Sequence, residues 1–252
     1  MSLEWPSLNE LTLIWALIAL PVLVVGLKGW DPVGRWGGKG LGWQMDSRWA
    51  WFIMEVPGFI TLPAIYLLSG NFHLVGNVVL VLWLAHYVHR TFVWPWLVPK
   101  RDGTVSLAMC GAAVSFNLIN GGLLGWFIAY AADYPAEWLT DPRFVVGVAV
   151  MLAGAGLNVW ADYRLLHLRK RSREQRVLPH GGAFDYICCP NLSGEIIEWL
   201  GFALLTWSLP GSIFFVWSVA NLVPRAVWRR NWYRENFSDF PANRRALIPG
   251  VL

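Results

Sequence analysis

Residues 49–68 (WAWFIMEVPGFITLPAIYLL) form a run long enough to cross a bilayer, and it carries one carboxylate, Glu55, in its interior. A spanning helix needs about 20 predominantly apolar residues, and an ionisable group at its centre costs roughly 2.5–3.5 kcal/mol on insertion scales. Such a group faces a cavity, a partner or a substrate. Glu55 is therefore the first functional candidate. The next apolar run, 74–98, holds His86, Tyr87, His89 and Arg90 near its middle. Packing alone does not require this second polar cluster, and together the two clusters suggest one buried site.

The 252 residues are 56% hydrophobic, include 18 Trp and are only 14% charged, which lies outside the range of soluble domains and inside that of polytopic membrane proteins. Apolar stretches fall at 11–27, 49–68, 74–98, 106–130 and 144–160, with two shorter ones at 194–209 and 212–223 joined by Pro210-Gly211. This predicts an all-α fold of seven transmembrane helices in a single membrane domain, 1–252. The last two are short for a crossing, so tilt, local bilayer thinning or their polar flanks make up the length.

Basic residues stay on the cytoplasmic side of short loops. Lys28, Arg35, Lys39 and Arg48 lie between the first and second runs, Lys100 and Arg101 between the third and fourth, Arg164 to Arg176 between the fifth and sixth, and Arg225 to Arg245 after the seventh. Of 20 Lys and Arg, only Arg90 and Arg143 fall outside this set. The opposite loops carry Glu4, Glu10, Asp133, Glu137 and Asp141. The predicted topology has the N-terminus outside and the C-terminus in the cytoplasm. The first run lacks a basic leader and a small-residue cleavage pattern, so it reads as a retained helix.

Cys110 and the vicinal pair Cys188-Cys189 have no metal-ligand spacing, and neither a metal nor a structural disulfide is expected. The +4 net charge resides in the cytoplasmic loops and suits lipid headgroups or an anionic cofactor rather than nucleic acid. The glycines from Gly37 to Gly42 follow no predicted strand and make no dinucleotide fingerprint. Gly121 and Gly125 read as close helix packing, as do Gly147, Gly154 and Gly156. Trp30, Trp49, Trp94, Trp96 and Trp138, at helix ends, read as interfacial anchors.

Three polar faces remain on the cytoplasmic side. Asn158, Asp162 and Arg169 recur at helical spacing beyond the fifth run, and Asn191, Glu195 and Glu198 do so at the start of the sixth. Arg225, Arg229 and Tyr233 follow at intervals of four. Arginines binding lipid phosphate, with the acids paired to them, would account for these faces. So would a cofactor with an amide end and a polyanionic end, because a carboxamide wants Asn and Glu partners and phosphates want Arg forks. A nicotinamide dinucleotide meets both demands without a Rossmann fold.

These segments carry a family resemblance. Through LNVWADYRLLHLRK, LPHGGAFDYICCPNLSGEIIEWLGFALLTWSLP and FSDFPANRRALIPG, and through WFIMEVPGF around Glu55 and HYVHRTFVWP around Tyr87, the chain resembles the steroid 5α-reductase family of membrane enzymes. The resemblance implies a seven-helix fold that holds NADPH in a cavity open to the cytoplasm, with residues 158–252 forming much of that site, and reduces a Δ4-3-keto steroid. Carried over by motif, Glu55 and Tyr87 would bind the 3-keto oxygen, and Asn191 and Glu195 would lie by the nicotinamide end. Asn158 and Asp162 would hold ribose or adenosine groups, while Arg169, Arg225, Arg229 and Tyr233 would serve the phosphates and nearby sugar. Arg35, Arg90 and Arg101 would be further cofactor contacts. Met54 stands where the mammalian enzymes carry Gln, and Arg176-Val177 replaces a Tyr-Arg pair.

The chemistry suits these residue types. Hydride attack on the β-carbon of an enone builds negative charge on the carbonyl oxygen, and a protonated Glu55 or the Tyr87 hydroxyl supplies the hydrogen bond that stabilises it. A reductase of another lipid enone, sterol or polyprenol, a membrane methyltransferase and a non-enzymatic seven-helix protein are the alternatives. The expected partners are a steroid or other lipid substrate and membrane lipids, with no nucleic acid and no metal. The assembly state is open, a monomer included. The membrane is the inner membrane in a bacterium and the endoplasmic reticulum in a eukaryote.

Overall fold

The computed structural model describes residues 7–28, 42–97, 103–171 and 177–252. Arg35 and Arg101 lie outside the described residues. Helix α1 covers Leu8–Leu27, α2 Ser47–Ser69 and α3 Leu74–Val88. The path of α3 continues through a π turn, His89–Val93, and a last turn, Trp94–Leu97. Helix α4 covers Leu107–Trp126 and ends in a second π turn, Phe127–Ala131. Helix α5 covers Pro142–Arg171, α6 Pro190–Thr206 and α7 Leu209–Asn236.

Four described helical spans, Leu8–Leu27, Ser47–Ser69, Leu107–Ala131 and Pro142–Lys170, are long and apolar enough to cross a membrane. The chain is a predominantly helical membrane protein. It packs as two compact units, one of Met1–Ile14 with Asp31–Asp141 and the other of Trp15–Trp30 with Pro142–Leu252.

In the first unit, helices α2 and α4 start from a short ribbon that hydropathy did not signal. Strand β1 (Gln44–Asp46) pairs antiparallel with β2 (Thr104–Ser106). The residues that end these strands also cap the helices. Asp46 accepts from the Arg48 N–H, and Ser106 accepts from the Met109 N–H, each satisfying an otherwise orphan donor of the first turn. Gly121 and Gly125 then let α4 lie against Thr61, Leu62 and Ile65 of α2, which is the packing role their spacing suggested. Phe92, in the π turn, packs edge-on against Phe52 and Phe59 of α2, with ring centroids 5.9 and 4.9 Å apart.

In the second unit, α5 and α6 approach at backbone contact. A Cβ on Gly154 would fall on the Glu198 backbone, and one on Gly194 would fall on the Asn158 backbone. The C-terminal tail docks beside the start of α6, where the Cys188 and Cys189 N–H groups donate to the carbonyls of Arg245 and Ala246 at 2.8 and 3.1 Å. From α1, Trp15 stacks on Trp217 of α7 at 4.4 Å.

Two tryptophan assignments part company here. Trp49 and Trp96 are exposed and pack edge-to-face, as interfacial anchors can. Trp138 is instead buried and lies 5.2 Å from the Tyr134 ring. The short 3₁₀ turn Ala136–Thr140 folds the indole inward, and helix-end position alone does not encode that.

Candidate active site

Two polar clusters contain the described candidate residues, one in each unit. In the first, Glu55 projects from α2 and Arg90 from the π turn after α3. Arg90 Nη2 lies 3.9 Å from Glu55 Oε1, with the two side chains 10% and 13% exposed. This is a Coulombic contact rather than a tight fork, whose N···O distances run about 2.7–2.9 Å. The Arg90 guanidinium also sits 5.1 Å from the centre of the Trp51 ring. The π turn matters for this placement: it adds a residue to the turn and re-aims the side chains that follow Tyr87, as π bulges at functional sites do.

Tyr87 is buried, three residues upstream of Arg90. Its hydroxyl donates to Asn117 Oδ1 of α4 at 3.0 Å, and Asn117 Nδ2 donates to the Met54 carbonyl of α2 at 2.6 Å. Tyr87 packs over Gly58 because that residue has no side chain, and a Cβ there would fall inside the ring. Trp83, one turn back, donates its indole N–H to the Gly58 carbonyl at 2.8 Å. The His86 ring meets Tyr87 edge-on at 5.1 Å. Asn117 and Gly58 were missed at the sequence level. The only available signal for Asn117 was a buried-sequence amide in an apolar run, which reads equally as interhelical packing.

The second cluster is built by the glycine contact of α5 with α6. Asn158 and Asp162 of α5 are both 3% exposed. Asn158 Nδ2 donates to the Asn191 carbonyl at 2.9 Å and reaches Glu195 Oε2 at 3.5 Å, while Asn191 Nδ2 donates to Asp162 Oδ1 at 2.9 Å. Asn191 Oδ1 is buried and accepts no hydrogen bond among the described residues. The helical spacings thus bring together four of the predicted residues.

Arg169, Arg229 and Tyr233 form the cationic end of this unit. Burial pushes the Tyr233 hydroxyl up to about 12, with Arg229 and Arg169 pulling the other way. Burial likewise raises the Cys189 thiol to about 11 against the opposing charge and hydrogen bond of Arg229. Arg225 stands half-buried one turn before Arg229 on α7. Arg244, 2% exposed, donates through Nη1 to the Pro179 carbonyl at 3.0 Å and lies 3.3 Å from His180 Nδ1 through Nη2. It therefore ties the tail to the Pro179–Gly182 loop. All three cysteines are free and buried.

Arg90, which the family resemblance groups with the cofactor arginines, has Glu55 as an ion partner in the structure.

A predominantly helical membrane protein that buries an ion contact, a tyrosine and a cluster of amides and acids has the make-up of a polytopic membrane enzyme. Residues 103–252 match the family model described as 3-oxo-5-alpha-steroid 4-dehydrogenase. The chain is 42% identical over 211 residues to 3-oxo-5-alpha-steroid 4-dehydrogenase 2 of Sus scrofa, covering 82% of each chain. It is 36% identical over 257 residues to 3-oxo-5-alpha-steroid 4-dehydrogenase 1 of Rattus norvegicus, covering 98% of each. To the steroid 5-alpha-reductase DET2 of Solanum lycopersicum it is 33% identical over 246 residues, covering 96% of this chain and 95% of the relative. The chain belongs to the 3-oxo-5-alpha-steroid 4-dehydrogenase family and is an oxidoreductase of the steroid 5α-reductase type.

Proposed function

We propose that this protein uses NADPH to reduce the Δ4 double bond of 3-oxo-Δ4 steroids to 5α-dihydro steroids. Family membership supports the reaction class, and one observation carries the cofactor reading. Asn191 Oδ1 is a buried acceptor without a hydrogen bond among the described residues, whereas the same residue's Nδ2 and carbonyl are bonded to Asp162 and Asn158. Leaving such a group unsatisfied costs about 1–3 kcal/mol, and a ligand N–H removes that cost. The nicotinamide carboxamide is a donor of this kind.

The donor set of the second unit fits the rest of the dinucleotide. Asn191 and Glu195 serve the nicotinamide end, Asn158 and Asp162 the ribose or adenosine hydroxyls, and Arg169, Arg225, Arg229 and Tyr233 the phosphates and nearby sugar. Arg35 and Arg101 are further contacts in this reading. Arg90 is assigned first to Glu55, given their contact.

When bound, the nicotinamide supplies hydride to C5 of the enone. The protein's own groups act at the other end of the conjugated system. Tyr87, and Glu55 in its protonated form, donate to the 3-keto oxygen as charge moves onto it, in surroundings where a fixed donor is worth far more than in water. C4 then takes a proton from Tyr87 or from water, which completes the addition of two hydrogens.

The wider reading is a single seven-helix membrane domain over 1–252, with the N-terminus outside, the C-terminus cytoplasmic and the cofactor entering from the cytoplasm. The basic loops support it.

The test is to incubate detergent-purified protein with NADPH and progesterone or testosterone, following NADPH oxidation together with product stereochemistry against a 5α standard. A 5α-dihydro product is expected. NADPH binding without product moves the substrate to another lipid enone, and absence of NADPH binding by folded protein overturns the cofactor assignment.

A further inference from the structure

We infer that Asn117 is a positioning residue for the reduction, acting through the Tyr87 hydroxyl. The inference rests on the role proposed for Tyr87. The Met54 carbonyl can only accept, so the 2.6 Å contact from Asn117 fixes which end of the amide is Nδ2 and turns Oδ1 toward Tyr87. Tyr87, whose hydroxyl has one proton, donates it to that oxygen at 3.0 Å.

Three helices are therefore pinned at one phenolic oxygen. Helix α2 contributes the Met54 carbonyl and the open space over Gly58, α3 contributes the phenol, and α4 contributes the amide that joins them. The ring cannot shift toward α2 without meeting the Gly58 backbone, and Trp83 lies 4.7 Å from it on the same helix. What remains adjustable is the direction of the O–H bond. Asn117 holds the proton in the absence of a ketone. When a ketone oxygen arrives, the hydroxyl turns to it without moving the ring, and the oxygen is already where the developing charge requires a donor. Asn117 has no need to touch the substrate.

A double-mutant cycle with NADPH and progesterone tests this. Asn117→Leu is expected to lower kcat about tenfold or more with little change in the Kd of NADPH, which also reports folding. In the Tyr87→Phe background, the same substitution should change kcat less than about threefold, because the hydroxyl it positions is gone. Equal fold-losses in the two backgrounds, or unchanged or raised kcat in Asn117→Leu alone, overturn the inference. Asn117→Thr, too short to bridge Met54 and Tyr87, should repeat the pattern if the leucine variant fails to fold.

A readout independent of turnover separates this from the reductase reading. The phenolic C–O infrared band lost in Tyr87→Phe should shift in Asn117→Leu without substrate, and an unshifted band overturns the coupling. Absence of turnover in the wild type, or full turnover in Tyr87→Phe, instead refutes the functional role proposed for the site.

Discussion

Arg90 and Glu55, from different helices, form a largely buried ion contact of 3.9 Å in the first unit. The carboxylate that a bilayer span would otherwise reject thus has a cation beside it. Removing one partner of a buried pair takes the nearby opposite charge from the other, a loss of up to about 3–5 kcal/mol. Arg90→Leu should therefore lower the melting temperature and turnover while leaving the NADPH Kd near its wild-type value. A large rise in that Kd, measured by titration, would restore Arg90 to the cofactor contacts.

Glu55→Leu keeps roughly the size of the side chain and removes the carboxyl O–H that donates when Glu55 is protonated. Turnover should fall by on the order of a hundredfold, about 2.7 kcal/mol, as for loss of one donor at a developing oxyanion. Tyr87→Phe should do the same, with cofactor binding nearly intact in both. Single-turnover rates at saturating NADPH check this, and near-normal rates in both variants refute the assignment.

Gly58→Ala is a one-carbon change, yet the added methyl occupies the place of the Tyr87 ring. The ring must move or α2 must shift, and overpacking of this kind costs about 1–3 kcal/mol. Turnover should drop more than thermal stability does, because the displaced group is the proposed carbonyl donor. Parallel assays of kcat and melting temperature make the comparison.

Arg169→Ala and Arg229→Ala should each weaken NADPH affinity more than steroid affinity, since charge-assisted contacts to phosphate contribute about 1.5–3 kcal/mol each. NADH, which lacks the 2′-phosphate, should be less affected by whichever arginine serves that group. Titrations with both nucleotides and with progesterone distinguish this from misfolding, which would weaken all three alike.

How far the site could be read beforehand follows from where its information lies. Glu55 announced itself as a charge in a long apolar run, and Asn158, Asp162, Asn191 and Glu195 did so by helical spacing on two segments that the glycines Gly154 and Gly194 bring together. Those are local signals. Gly58 and Asn117 both meet Tyr87, which lies on a third helix, so no periodicity could single them out. The partner of Arg90 was hidden for the same reason, with the π turn at His89–Val93 adding a rotation that a uniform 3.6-residue period does not contain. The ribbon of β1 and β2 is too short to leave a hydropathy pattern.

Alkaline pH should destabilise the second unit through three buried acids. Burial raises Cys188 from the ordinary thiol value of 9.0 to about 12 and Cys189 from 9.0 to about 11, and it raises Tyr233 from 10.0 to about 12. Well below pH 9.0 both thiols stay protonated whether the chain is folded or not, and stability does not vary with pH through them. Above it, the unfolded chain ionises while the folded chain resists, so the unfolded state gains and stability falls with each further unit. Each group contributes a slope of at most about 1.4 kcal/mol per pH unit while the pH lies between its two values. Melting temperatures taken from about pH 8 to about pH 11 should fall progressively, and the fall should be shallower in Cys188→Ala/Cys189→Ala, where two of the three groups are gone. An identical slope in that variant would mean that the thiols ionise as readily in the folded protein as in the unfolded one, and that Arg229 offsets their burial in full.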